Sequence, residues 1–339
     1  MQVPDNNKDI AVFKPLESSS LSLFSEKLYK DIADTYEIQN SRLPILNVTD
    51  RLYRTIPEKL SRIEDEYEWA VFASYLPLAG INPEEYDIKI AVFVHGFINK
   101  IIVGRTYLGR KTYLRSIKNL GRVDKVLTVS ETTKTDLIRH PNNIVSFNDK
   151  EIDVIWQGID KERIYRDNSE PSFDTPEKYI LYAGCFPTRK NPKFLLDVLE
   201  KLEDDTELVA CGANLNPENV NRFLSEVEER KLEDRVNYMG KVSLENLRRL
   251  YSNAALYLHP ARFEGYGRPP VEAATCGTIP VMYEEVPSYR DLSDVAVPFS
   301  DFDSRKVADL VNSNLGKEVN YTPRSWSESR KKLLEALEL

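Results

Sequence analysis

The sequence predicts an α/β protein of two doubly wound, Rossmann-like domains that face a cleft. Three observations predict it. The chain has 339 residues, more than one core of ordinary size holds and close to two domains of roughly 150. Short apolar runs alternate with amphipathic stretches from one end to the other, the pattern of parallel sheets with crossover helices. Residues 161–178, charged, Pro-containing and without period, read as a linker between two such series.

In the first series strands are predicted at Ile10–Phe13, Trp69–Tyr75, Ile88–Val94, Lys125–Val129 and Ile152–Trp156, with a helix at Leu21–Thr35. In the second they are predicted at Tyr179–Ala183, Glu207–Cys211, Arg235–Tyr238, Ala254–Leu258 and Thr278–Met282. Helices fall at Pro192–Glu203, Glu218–Lys231 and Leu244–Ser252. The strand runs are short and β-branched or aromatic-rich, as strands buried on both faces are. The domains are drawn at 1–160 and 161–324. Residues 325–339 form a last helix after Pro323, expected to pack back toward the N-terminal domain through Trp326, Leu333, Leu334 and Leu337. Ligands of such folds bind at the carboxyl ends of the strands.

Composition narrows the partners. Apolar residues make up 41% and charged residues 29%, the balance of a globular protein. A formal net charge of -8 argues against nucleic acid, whose binding depends on neutralising phosphates. Cys185, Cys211 and Cys276 are odd in number and scattered, which reads as reduced thiols and not a disulfide framework or a zinc site. The opening MQVPDNNKDI lacks the plan of a signal peptide, and no apolar run approaches the roughly 20 residues of a membrane span. The expected location is cytoplasmic, free or peripheral at a membrane.

The most informative segment runs from His259 to Gly277, HPARFEGYGRPPVEAATCG, between two predicted strands. Pro269 and Pro270 suit a first helical turn and Gly277 a C-cap, so a short helix is predicted from Pro269 to Cys276. A helix N-terminus behind a glycine loop attracts anions. The prolines cannot donate, which leaves the amides of Gly265, Tyr266, Gly267 and Arg268. Glu264 and Glu272 flank that mouth, and carboxylates beside a diphosphate are awkward unless they bind hydroxyls. A nucleotide sugar carries hydroxyls on both sides of a diphosphate. The plainer reading makes Glu272 a helix-dipole partner and Glu264 a solvated loop charge.

This segment resembles the E-x7-E motif of the family-four retaining glycosyltransferases, two-Rossmann-domain enzymes of the GT-B fold. The EGYGRPPVEAATCGTIPV stretch is similar to that family's EGFGLPxLEAMAxGxPVV, and the likeness extends over most of residues 88–339. It implies that Glu264 contacts the donor sugar and Glu272 the ribose. Tyr182-Ala-Gly184-Cys-Phe-Pro-Thr-Arg189-Lys190-Asn resembles the family's YVGRLxxRKN. Gly184 ends the strand, Lys190 falls on the lysine that reaches the diphosphate, and Cys185 replaces the arginine after the glycine. Arg189 is the substitute at hand, since guanidinium binds phosphate bidentately. Val236-Asn-Tyr-Met-Gly240-Lys-Val242-Ser243 is similar to VxFLGxVS, where the backbone at Val242 meets the base; Ser243 reads simply as an N-cap. Val92-Phe-Val-His95-Gly96 resembles the strand whose terminal histidine lies near the transferred sugar, with Gly96 in place of its Asp.

The implied activity is transfer of a hexose, with retention, from a nucleotide-diphosphate sugar to a glycan, lipid or other acceptor. The sugar nucleotide is a co-substrate, and neither cofactor nor metal is expected. The alternative is a non-catalytic nucleotide-sugar- or glycan-binding protein on the same fold, motivated by Cys185. A nicotinamide dehydrogenase would need a G-x-G-x-x-G after the first strand, which is absent. Asp301-Phe-Asp303 mimics a metal-binding D-x-D but sits where a helix cap belongs, and His140 and His259 read as structural. Lys14–Ser20 takes the place of the family's glycine-rich first loop, which leaves the acceptor site undefined. Residues 100–122 carry seven basic residues, no acid, and apolar residues at helical spacing. They read as a helix that lies on anionic lipid or meets a phosphorylated acceptor, or else as a surface helix with a basic solvent face.

Overall fold

The computed structural model describes residues 9–15, 20–38, 55–96, 107–139, 152–203, 205–213 and 216–339. The chain divides into two compact units, residues 1–158 with 326–339, and residues 159–325.

In the first unit the elements are β1 (Ile10–Pro15), α1 (Ser20–Tyr29), β2 (Asp34–Ile38), α2 (55–63), β3 (Trp69–Phe72), β4 (Lys89–Val94), α3 (Tyr107–Leu120), β5 (Lys125–Thr128), α4 (Glu131–Ile138) and β6 (Ile152–Val154). The sheet is parallel, in the order β2-β1-β3-β4-β5-β6. The central strands β3 and β4 are buried on both faces, with Phe13 of β1 stacked on Phe72 at 4.7 Å between centroids. The helix expected through Thr35 ends at Tyr29 instead. Asp31 turns the chain at a left-handed φ of 67°, and Asp34–Ile38 becomes an edge strand on β1. Ser130 caps α4 by accepting from the Thr133 amide.

The C-terminal helix, Trp326–Ala336, belongs to this unit. It begins three residues after Pro323. Trp326 meets Phe24 at 5.7 Å, Arg330 donates to the Lys27 carbonyl, and the Leu337 carbonyl accepts from the Trp69 indole.

The basic stretch resolves into two faces where it is described. On α3 Tyr113, Ile117 and Leu120 are buried in the core, and Leu114 packs against it. Ser116 donates to the Leu76 carbonyl, and Asn119 to those of Leu78 and Ile81. The described part of the apolar face, from Tyr113 to Leu120, is therefore packed into the core and on the 76–81 turn. Lys111, Arg115, Lys118 and Arg122 are exposed. Lys100, Arg105, His140 and residues 16–19 of the first loop lie outside the described residues. Among the described residues no helix is long and apolar enough to cross a membrane.

The second unit contains β7 (Tyr179–Ala183), α5 (Pro192–Leu199), β8 (Glu207–Cys211), α6 (Pro217–Glu229), β9 (Val236–Gly240), α7 (Leu244–Asn253), β10 (Leu256–His259), α8 (Arg268–Thr275), β11 (Pro280–Tyr283), α9 (Tyr289–Leu292), β12 (Val297–Phe299) and α10 (Ser304–Asn314). Its sheet is parallel too, in the order β12-β11-β10-β7-β8-β9. The chain runs β7-β8-β9 outward to one edge, returns, and runs β10-β11-β12 to the other. The strand order thus reverses between β7 and β10, and ligands of open α/β sheets bind beyond the carboxyl ends at such a switch point. Residues 161–178 are irregular but fastened: Asp167 pairs with Arg248 at 2.8 Å and Arg249 at 3.4 Å. Asp301-Phe-Asp303 forms the cap expected of it. Asp303 accepts from the amides of Arg305 and Lys306 at the start of α10, and Asp301 pairs with Lys306 at 2.9 Å.

Candidate functional site

The loops that leave β7 and β10 build the site. After β7 comes Gly184 at φ 150°, then Cys185, whose carbonyl accepts from the Tyr182 hydroxyl at 2.7 Å and folds the loop back. A 3-10 turn, Thr188–Lys190, follows, and Asn191 at φ 53° opens α5. After β10 the chain crosses to Glu264 and Gly267, the N-cap of α8. Gly267 sits at φ 93°, and a Cβ there would lie 2.7 Å from Val286 Cγ1 and 2.9 Å from Ser288 Oγ. Only glycine fits that corner. The Ser288 amide donates to the Tyr266 carbonyl, and the Tyr266 hydroxyl to Asp291 at 2.7 Å; Asp291 pairs with Arg324 at 3.1 Å. The ring of Tyr266 is thus a buried pin for the loop.

Two loops distant in sequence meet at one carboxylate. Glu264, with 10% of its side chain exposed, pairs with Arg189 at 2.9 Å and Lys190 at 3.0 Å. Arg189 also donates to the Phe263 carbonyl, and its own carbonyl accepts from the Arg262 amide. Its guanidinium is therefore a clamp on the 262–264 loop. Lys190 is buried, and its Nζ lies 3.0 Å from where a Cβ on Gly184 would sit. Burial alone would raise the pKa of Glu264; the Lys190 ammonium and the Arg189 guanidinium more than offset it and hold the carboxyl below its ordinary range.

His259 ends β10 directly behind this carboxylate. It is fully buried, with Nε2 3.8 Å from Glu264 Oε1 and Nδ1 3.2 Å from the Tyr257 hydroxyl. Burial pushes its pKa down to about 3, so the ring is neutral at physiological pH. Glu272, one turn into α8, pairs with Arg268 at 3.1 Å and accepts from the buried Tyr251 hydroxyl at 3.2 Å.

The floor beside the cluster is backbone. Gly184 N donates to Cys211 O and Gly212 N to Gly240 O, both at 2.8 Å, so the ends of β7, β8 and β9 are laced together. Val242, half-buried, follows β9, two strands from β7. His95 stands in the first unit at the end of β4, its ring against Phe24 at 4.7 Å and its pKa lowered by burial to about 4. Glu264, Lys190 and Arg189 are thus brought into contact, Gly184 packs on Lys190, and Glu272 is joined to Arg268. Gly212, Tyr251, Tyr257 and His259 had not been read as site residues. Gly212, which ends a predicted strand just as Gly184 does, carried a signal. Among the described residues no group of three or more His, Cys, Asp or Glu is placed to hold a metal ion.

Residues 165–300 match the family described as glycosyl transferases group 1. The chain is 27% identical over 210 residues to the O-antigen chain mannosyltransferase RfbU of Salmonella typhimurium, covering 61% of this chain and 52% of that protein. It is 34% identical over 114 residues to the O-antigen chain mannosyltransferase B of Escherichia coli, covering 32% and 29%. The chain therefore spans about half the length of RfbU and less of the other. Its fold is similar to that of Anabaena HepE in complex with UDP and glucose, with a TM-score of 0.75 at 14% identity over 98% of this chain and 99% of that one. The sucrose-phosphate synthase of Thermosynechococcus elongatus gives 0.71 at 15% identity over 97% and 98%.

Proposed function

From a chain whose residues 165–300 form a group 1 glycosyltransferase domain within a GT-B fold, we propose transfer of a hexose from a nucleotide-diphosphate sugar to a glycan or lipid-linked acceptor, with retention. The observation that carries this reading is the contact of Glu264 with Lys190 and Arg189 at the β7/β10 switch point. An acid suited to hydroxyls and an ammonium suited to phosphate stand together, as a sugar diphosphate requires, with Arg189 holding the acid in place.

In this reading the amides of Gly265, Tyr266, Gly267 and Arg268 and the ammonium of Lys190 take the diphosphate. Glu264 takes sugar hydroxyls, Glu272 the ribose, and the backbone at Val242 the base. Arg189 keeps Glu264 and its loop in place. The bond from the anomeric carbon to phosphate oxygen breaks, and the acceptor oxygen bonds that carbon on the same face. Its proton passes to the departing phosphate oxygen. The protein contributes preorganised charge, with no side-chain nucleophile and no metal.

The relatives make mannose the first sugar to test. The exposed bases of α3 favour an anionic acceptor or surface, met by charge alone. Calorimetric titration with UDP-, GDP- and ADP-sugars, followed by product analysis with glycan acceptors, tests the assignment. Binding without transfer or donor hydrolysis would favour the non-catalytic reading, to which the thiol of Cys185 points.

A further inference from the structure

His259 and Glu264 face each other across a gap that their chemistry does not explain. Nε2 of the fully buried His259 and Oε1 of Glu264 are 3.8 Å apart, and neither has a hydrogen-bond partner of good geometry. Leaving such groups short costs stability. The nearest cation to Oε1 is Lys190 at 3.0 Å, while Oε2 is held by Arg189 at 2.9 Å. Behind the imidazole stands the Tyr257 hydroxyl, 3.2 Å from both His259 Nδ1 and the Ala183 carbonyl. A phenol has one proton to give. Given to Ala183, it leaves His259 protonated on Nδ1, with a bare lone pair toward Glu264. Given to Nδ1, it leaves the proton on Nε2, aimed at Oε1.

Resting on the proposed donor reading, we infer that His259, oriented by Tyr257, is a positioning residue that takes over Glu264 Oε1 when a diphosphate claims Lys190. The ammonium is needed in two places: on Glu264 when the site is empty and on the donor's phosphates when it is full. Without a replacement, the carboxylate would lose its partner at the moment it must hold the sugar. Nε2–H is a neutral donor already within about 1 Å of hydrogen-bond distance. The charged groups facing the ring are Glu264, Lys190 and Arg189, and Tyr257 is the titratable group behind it. The depressed pKa agrees with a ring that stays neutral and switches tautomer.

The test is calorimetric titration of the full chain with UDP and GDP, then UDP-glucose and GDP-mannose, using His259→Leu, His259→Gln, Glu264→Gln and the Leu/Gln double variant, each checked by thermal melting. His259→Leu is expected to weaken diphosphate binding about tenfold or more, the range for a lost hydrogen bond to a charge. His259→Gln, whose amide reaches the Nε2 position, is expected to restore most of it. In the Glu264→Gln background the His259→Leu change is expected to cost less than threefold. Wild-type binding with no loss in His259→Leu, or an equal loss in the Glu264→Gln background, overturns the positioning role alone. A parent chain that binds no nucleoside diphosphate overturns the donor reading and this inference with it.

Discussion

Replacing Gly212 by alanine strikes the point where backbone and binding chemistry meet. Gly212 stands at φ 155°, and a Cβ there would lie 2.0 Å from the Gly184 carbonyl oxygen and 2.5 Å from its carbon. Relief to an ordinary C···O contact of about 3.3 Å demands roughly 1.3 Å of movement between the ends of β7 and β8. That movement breaks one or both of the 2.8 Å bonds lacing Gly184, Gly212 and their partners. Overpacking costs about 1–3 kcal/mol, the glycine-only backbone about 1–3 kcal/mol, and each lost hydrogen bond about 1 kcal/mol net. A combined loss of about 4 kcal/mol lowers Tm by about 8–16 °C for a unit of this size. Gly316→Ala is the matched control: φ is 71°, but nothing lies within 4 Å of its added Cβ. It is expected to cost about 1 kcal/mol. Calorimetric melting and urea unfolding of the two variants give the comparison. Gly184 abuts Lys190, so any folded Gly212→Ala protein is also expected to bind diphosphate more weakly. Equal destabilisation by the two alanines would refute the steric reasoning.

Four further outcomes are expected. Lys190→Met lowers sugar transfer by about 10²–10³, the cost of removing one preorganised donor, while the melting curve stays cooperative; parental turnover would remove Lys190 from the site. Arg189→Gln loosens the 262–264 loop and costs about 1–3 kcal/mol of stability in denaturant titration; an unchanged midpoint would deny the clamp. Asp303→Ala costs about 1 kcal/mol through its lost cap, with transfer unchanged and insensitive to EDTA; inhibition by the chelator would reopen a metal role. Stability is fully present above pH 6.5 and falls as pH drops from about 6.5 toward 4, because the unfolded histidines take protons that folded His95 and His259, held near 4 and 3, refuse. Each contributes a slope of up to about 1.4 kcal/mol per pH unit, so His259→Leu with the parent's slope in urea titrations from pH 4.5 to 7.5 would contradict its burial in neutral form.

Strands with closed environments were legible from sequence. Tyr179–Ala183 and Glu207–Cys211 were placed to the residue, because an apolar run in each case stops at a glycine. Of the four edge strands, β6 and β9 were legible and β2 and β12 were not. Asp34–Ile38 hides behind a helical pattern that ends without glycine or proline, at a left-handed aspartate. Val297–Phe299 is three residues with a central proline, tolerable only on an edge. Glu264 and Glu272 stand out in the sequence because one short segment, a loop running into α8, carries both. The partnership of Glu264 with Arg189 was not, since it joins residues 75 apart through the fold. His259 had no pattern to announce it; its meaning comes from Glu264, five residues on, whose Oε1 the fold brings to 3.8 Å from Nε2. The amphipathic character of α3 was readable, whereas the turn that covers its apolar face was not.

The pairing of every charge in the candidate site has a consequence for selectivity. Arg189, Lys190 and Arg268 face Glu264 and Glu272, three cations to two anions, with His259 neutral, so the side chains of the site carry one surplus positive charge. A small free anion gains little there, because capturing a base strands an acid. A ligand that presents phosphates and hydroxyls together satisfies both halves of each pair at once. On the proposed donor reading the site would work as a coincidence detector, weak toward inorganic phosphate or free sugar and strong toward the two joined in one molecule.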